Sequence, residues 1–383
     1  MMYRIPVPEA GFRVAGSTVW FAGWDEVGAI NAETGAFTFT SEAADVRFLA
    51  ATPSFMLINM AGSFAAVDMA GRIFGSSQSS VGTDVRYVAT LDDERVMVFY
   101  PGDLYFLGDR AGNVSVASFD GVAVTVTPLE STRYGSPYLS LYVAEMADGT
   151  DRLVDLRSGE MVGLPEGAGA DVEFFRGVDG AVWALEAGAA SRLWRLSGSR
   201  WMGPAVVEGL HTYLVFGAGG LVGLVGDMSE PLMAIYEIRE NTLVLRNRVQ
   251  SPQEYVGWGD FHVLANGDLA GSVGSAFVII DSQTAVGRVI PVPGVPVDRG
   301  HLHPWVYDSS ANVAWVAYGA DLDEGETWGG VYVIDFNTGL VAQVDHGGGR
   351  VWDVAGTDDS GRYFVVSSDP DSHWLSALTC RPA

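Results

Sequence analysis

The sequence contains no lysine. All 22 of its basic residues are arginine, set against 47 acidic residues for a net charge of −25. A surface this negative repels a phosphate backbone, so nucleic acid is not an expected partner. An anionic bilayer surface is excluded on the same ground. There is one cysteine, Cys380. A lone thiol makes no internal disulfide and no cysteine-built zinc cage. No apolar run approaches the roughly 20 residues that span a bilayer. The opening Met1-Met2-Tyr3-Arg4-Ile5-Pro6 lacks the basic, apolar, small-residue succession of a secretory signal. These absences predict a soluble protein without a signal peptide, cytoplasmic or virion-associated. A phosphate loop of the Gly-rich type needs a lysine that the chain does not have. No serine has a local activating partner, and a nucleophile elbow requires an α/β fold for which the sequence gives no sign.

What the sequence does have is apolar residues, 48% of the total, and 48 glycines spread along the whole chain. Scattered glycine suits many tight turns, not one flexible linker. One unit recurs: apolar strands, the third ending in Asp or Asn, then a turn with Gly and a fourth strand. The clearest copy is Val331-Tyr332-Val333-Ile334-Asp335-Phe336-Asn337-Thr338-Gly339, running on to Val344. Others are Val27–Phe37 with Asn31-Ala32-Glu33-Thr34-Gly35, Phe277–Thr284 with Asp281, and Arg152–Gly159 with Asp155. Asp or Asn bonds the turn amides, and Gly supplies the positive φ that reverses the chain. Weaker copies are Phe64–Gly71, Leu104–Gly112, Leu193–Gly198, Ala234–Thr242 and His373–Cys380. Each is preceded by a strand-length apolar segment such as Thr18–Trp24, Phe55–Met60 or Val313–Tyr318. No long stretch shows helical periodicity with caps at both ends.

Four short strands per unit of roughly 42 residues is the spacing of a β-propeller blade. The expected fold is therefore all-β, a closed β-propeller. Nine blades is the best count; eight follows if two units merge in 113–146. The last copy lacks a fourth strand, and Tyr3–Val7 is a spare one, so the N-terminal strand is expected to complete the last blade and remove a sheet edge. The whole chain, 1–383, reads as a single domain, with 1–10 as closing strand and 11–383 as repeats.

The repeat around Asp335 and Thr338-Gly339 resembles the blades of quinoprotein-like propellers. The stretch His303-Pro304-Trp305, strand, Asp308-Ser309-Ser310, strand is similar to TolB-like blades, with a partial match in the turn. The resemblance implies the propeller fold. The tryptophan that follows Thr-Gly in quinoprotein blades is missing after Gly35 and Gly339, so no quinone, and no other cofactor, is expected. Val351-Trp352-Asp353 looks like a Trp-Asp repeat signature but falls on a first strand.

Six histidines are present: His211, His262, His301, His303, His346 and His373. First strands line the channel of a propeller, and the connections into them form one face. His262, His301 and His303 could thus meet at the channel mouth with Asp260, Trp305 and Asp353, where they would bind an ion or act as acid and base. The plainer alternative is that each bonds locally. Trp24, Trp258 and Trp328 fall in connections and are candidate aromatic contacts for a partner. Trp20, Trp183 and Trp315 alternate within strands and read as packing. Asp321, Asp323 and Glu326 form an acidic loop with a weak likeness to a calcium site, although the spacing misses the twelve-residue pattern; Asp369 and Asp371 are weaker still.

The function read from this is a non-enzymatic scaffold or binding module whose loops meet protein or glycan partners, as a subunit of a larger assembly. One concrete form is a virion or phage tail protein. The alternative is a propeller enzyme, a lactonase, lyase or metal-assisted hydrolase acting at the channel mouth. The charge carries a direct prediction: fluorescence anisotropy at physiological salt detects no binding of DNA or RNA. A submicromolar affinity with a steep salt slope would contradict it.

Overall fold

A computed structural model describes residues 1–60, 63–75, 87–90, 95–101, 112–121, 123–129, 132–136, 141–146, 148–169, 172–177, 180–208, 211–216, 221–226, 232–239, 242–250, 258–273, 275–293, 305–319, 329–348, 350–358, 360–369 and 372–379. At some strand positions only the backbone is described. The described residues form 36 strands and no helix. They assemble into nine four-stranded antiparallel sheets, and the fold is a nine-bladed β-propeller. Blades 1 to 8 span 10–42, 46–75, 87–129, 132–163, 172–208, 211–250, 258–291 and 306–344. In each, strand order follows the chain.

The ninth blade takes three strands from 350–378 and its fourth from the N-terminus. Tyr3 pairs with Ala377, Ile5 with Leu375 and Val7 with His373, antiparallel. The count of nine and the closing strand are thus as the sequence predicts. One repeat sits elsewhere than its turn signature suggests. The third strand of blade 3 is Gly112–Phe119, followed by Val124–Leu129, rather than Leu104–Gly112. Apart from Gly112, the Leu104–Gly112 copy lies outside the described residues; after the third strand, Asp120 accepts the Ala123 amide at 2.9 Å.

The chain divides into two compact units. Residues Met1–Leu164 with His346–Ala383 hold blades 1 to 4 and 9; Pro165–Asp345 hold blades 5 to 8. In the first unit, Phe12, Phe21 and Ile30 of blade 1 share a buried cluster with Phe364, Val366 and Leu375 of blade 9, and Tyr3, Ile5 and Val7 pack onto it. Alternation along the closing strand directs these three side chains to one side. Trp20 is fully buried among residues of blades 1 and 2 and donates its indole N–H to the Thr52 carbonyl at 3.1 Å. In the second unit, Phe277, Trp305, Trp315 and Phe336 are buried, and three of them join the cluster between blades 7 and 8.

The turn chemistry is as the repeat requires. Asn31 accepts the amides of Glu33 and Thr34 and the Thr34 hydroxyl. Asp281 does the same with Gln283 and Thr284, which holds its carboxyl below the usual range. For Asp335, burial pushes the carboxyl up, but bonds from Thr338 and the Asn337 amide outweigh it and the net direction is down. A second turn device was not evident in the sequence. Asp68 and Asp358 each accept amides two and four residues on, and each pairs with the arginine at the fourth position, Arg72 and Arg362.

The closing strand is anchored beyond its ladder. The Tyr3 hydroxyl donates to the Ala32 carbonyl at 3.0 Å, and burial pushes its pKa up to about 12. Arg4 lies over the Trp374 ring and donates to the Gly347 carbonyl. Deleting residues 1–7 would expose the edge of 372–378 and strip three apolar side chains from the cluster of blades 1 and 9. Differential scanning calorimetry should then show a Tm lowered by roughly 5 °C or more. An unchanged Tm would mean that the strand contributes nothing to stability.

Candidate functional site

In the first unit an open cleft of about 750 Å³ lies between the first strands of blades 1 and 2. Those strands are Ala10–Ala15 and Val46–Ala51. The cleft is on the side where the chain enters them. Ala10 pairs with Gly23, which brings the Trp24-Asp25 connection beside Glu9. The Ala43 amide donates to the Asp25 carbonyl at 2.9 Å, which ties the connection into blade 2 to the same place.

Small residues line part of it. Gly11, Ala10, Ala22 and Gly23 are all in the lining. A Cβ on Gly23 would lie 2.7 Å from the Glu9 carbonyl oxygen, closer than any relaxed contact, so this position tolerates only glycine. A Cβ on Gly11 would touch Phe48 of blade 2 at 3.5 Å, which shows how near the two first strands run.

Around this floor stand Trp24, Arg13, Arg47, Glu9, Asp45 and Asn59. Trp24 is 73% exposed. An indole left in water contributes little to folding and is available for contact. Arg13 and Arg47 are exposed on otherwise apolar strands, and Asn59 faces Arg47 across the ladder. Asp45 holds φ at 54°, turning the chain sharply into blade 2. The arrangement offers a flat aromatic face, two guanidinium forks, two carboxylates and an amide. It can stack and hydrogen-bond a polar ligand.

Of the sequence-derived candidates, Trp24 lies in this cleft. His262 and Trp305 meet elsewhere, in the second unit, with ring centroids 4.3 Å apart and edge to face. Trp305 is 3% exposed and also packs edge to face on Phe277 and Phe336. Tyr307 beside them accepts the Ala265 amide and donates to Asn312. The contact is that of a packed aromatic cluster. Trp258 and Asp260 fall within the first strand of blade 7 and Asp353 within that of blade 9; their side chains are outside the described residues. His301, His303, Trp328, Asp321, Asp323 and Glu326 are also outside the described residues. Among the described residues no three His, Cys, Asp or Glu side chains converge as a metal site would need.

Arg13, Arg47, Glu9, Asp45 and Asn59 were not singled out from sequence. A faint signal exists: in a chain poor in cations, Phe12-Arg13-Val14 and Val46-Arg47-Phe48 place arginine inside strands that otherwise read as apolar.

No protein-family model matches the chain, and no curated protein matches it. Solved structures are similar in fold. A eukaryotic initiation factor superposes with a TM-score of 0.56 at 12% identity, covering 93% of this chain and 96% of that one. The computationally designed Ika8 protein gives 0.50 at 15% identity, covering 87% and 96%. A virginiamycin B lyase from Staphylococcus aureus gives 0.42 at 12%, covering 76% and 94%, too slight a likeness to bear on this chain. At these identities the likeness is one of architecture.

The two tryptophans should separate in a stability test. Trp24→Ala should leave unfolding free energy within about 0.5 kcal/mol of the parent, as for an exposed position. Trp305→Ala should cost about 3–5 kcal/mol by opening a cavity in an aromatic core. Denaturant titrations measure both, and a large loss for Trp24→Ala would make it a structural residue.

Proposed function

We propose that the protein is a non-enzymatic binding module, a single functional unit over 1–383, that presents one blade face to a glycan or protein partner. The observation that carries this reading is Trp24, left 73% exposed at an open cleft lined by small, apolar and charged residues. Rigid strands hold the surrounding side chains, and a preorganised site loses less entropy on binding. Exposed aromatics on such a site are the usual anchors of recognition.

The packing of His262 against Trp305 and Tyr307 also supports it, because a histidine engaged in an aromatic cluster is poorly placed to open a metal or acid–base site. A net charge of −25 favours partners other than polyanions. Among the described residues no helix is long and apolar enough to cross a membrane. The finer form of the reading is a subunit of a larger assembly, with a virion or phage tail as its concrete case. The arginine-only basic set, natural in a G+C-rich genome, and a loop tryptophan suited to a receptor support that form.

The test is capture by the purified protein on a glycan and protein array, repeated with Trp24→Ala. The expected result is a partner whose affinity falls at least tenfold in the variant while the Tm is unchanged. Capture indifferent to Trp24, or turnover of a lactone or glycan with retention of activity in Trp24→Ala, would overturn the reading in favour of the channel-mouth enzyme.

A further inference from the structure

We infer that the cleft between blades 1 and 2 takes a neutral oligosaccharide. This inference rests on the binding-module reading and names its ligand class. The first observation is that the lining is balanced in charge while the chain is not. Arg13 and Arg47 stand with Glu9 and Asp45, two cations beside two carboxylates, in a protein whose net charge is −25. Such a lining holds no net attraction for a carboxylate or an ammonium group. It does hold donors and acceptors close together. Arg47 offers only N–H donors, Glu9 and Asp45 only acceptor oxygens, and all three are exposed. A sugar hydroxyl donates and accepts at once, so it uses both kinds of group and brings no charge of its own. Arg13 and Asn59 are engaged with other groups of the protein and serve as wall.

The second observation separates a sugar from a protein. A protein partner is held by several apolar anchors in desolvated pockets, over an interface of about 1,200 Å² or more. Trp24 is the one large apolar side chain of this lining that is mostly exposed. Val46 is buried in the cluster of blades 1 and 2, and Phe48 packs against it. Leu49 packs against the cluster of blades 2 and 3. One flat ring among charged groups is little apolar surface for a protein to grip. It suits a pyranose, whose C–H face stacks on the negative face of an indole while its hydroxyl edge turns to the polar groups.

The third observation is shape. The cleft measures about 750 Å³, within the range of small-ligand sites, and it is open, not enclosed. An open cleft lets a sugar chain longer than itself run on into solvent.

Isothermal titration tests the inference with neutral oligosaccharides (cellopentaose, maltopentaose, mannopentaose and lacto-N-tetraose), an oligogalacturonate as the acidic probe and a chitosan oligomer as the cationic one. The expected result is that the tightest binder is neutral. Its affinity should stay within about twofold from roughly 0.05 to 0.5 M NaCl, since no net charge is neutralised on binding. Trp24→Ala should weaken it at least tenfold, and Trp24→Tyr should recover most of that loss, with the Tm of both variants equal to the parent's. A parent that prefers the acidic or the cationic probe, binding that Trp24→Ala leaves intact, or a folded parent that binds none of the neutral sugars overturns the inference. If the array then yields a protein partner that Trp24→Ala loses, the sugar inference alone has failed and the binding-module reading stands. If nothing captured depends on Trp24, both fail.

Discussion

Side-chain hydrogen bonds from the fourth strand of one blade to the carbonyls of the next blade's Asp/Asn turn are the interaction on which much of this architecture depends. In the first unit the Tyr3 hydroxyl reaches Ala32 O and the Ser41 hydroxyl reaches Gly71 O at 3.0 Å. In the second, Arg246 reaches Gln283 O, Asn247 reaches Ala285 O and Arg288 reaches Phe336 O. The donors differ, but the acceptor is each time a carbonyl in the hairpin that joins third and fourth strands. Those carbonyls point out of the ladder and would otherwise rely on water. Turn and latch are coupled. The Asp or Asn at the strand end fixes the hairpin, and a fixed hairpin can be gripped from outside. Glycine serves both: a Cβ at Gly35 would meet the Tyr3 ring at 2.8 Å, and one at Gly71 would meet Phe39 at 2.6 Å.

The same close approach recurs inside the sheets. Gly28 lies opposite Phe21 and Gly271 opposite Phe261, and a Cβ at either would overlap the ring at 2.3 Å. The ring lies across the glycine and covers a backbone that would otherwise be open. Phe21 then continues into the cluster that joins blades 1 and 9. In the first unit, therefore, the strands that carry the cleft are fixed by ladder, latch and core together. Gly23 extends this use of glycine to the cleft, where the missing Cβ lets the Glu9 carbonyl oxygen come within 2.7 Å of where it would stand.

Architecture was legible in the sequence because it is written in local chemistry that repeats. Asn31-x-x-Thr34-Gly35, Asp281-x-x-Thr284 and Asp335-x-x-Thr338-Gly339 each encode a turn within five residues, and their period gives the blade. The unpaired final copy and the spare strand Tyr3–Val7 gave the closure by simple accounting of edges. In blade 3 the third strand is Gly112–Phe119, and it ends at Asp120-Gly121, a turn without the Thr of the clear copies. Paired turns such as Asp68–Arg72 escaped notice because Asp and Arg four apart are common on any surface. The cleft was the least legible. Trp24 could be picked out as a loop aromatic, but its companions come from segments that only pairing brings together, Glu9 and Arg13 from one blade, Asp45, Arg47 and Asn59 from the next. No spacing along the chain encodes that meeting.

The acidity of the chain and the character of the cleft bear on each other. Twenty-five excess negative charges repel an anionic ligand at long range, and salt screens that repulsion over about 8–10 Å. The exposed guanidiniums of Arg13 and Arg47 are screened by the same salt, and Glu9 and Asp45 beside them cancel their formal charge. Moderate salt should therefore weaken the long-range repulsion while the cleft adds no net attraction for an anion. This is the reverse of the salt dependence of a basic surface that binds a polyanion, where every added ion competes with the contact. Dense polyanions meet the whole field and are turned away. At a cleft where two arginines stand beside two carboxylates the local field is balanced, so a polar partner without net charge meets neither the repulsion of the surface nor an unpaired charge in the lining.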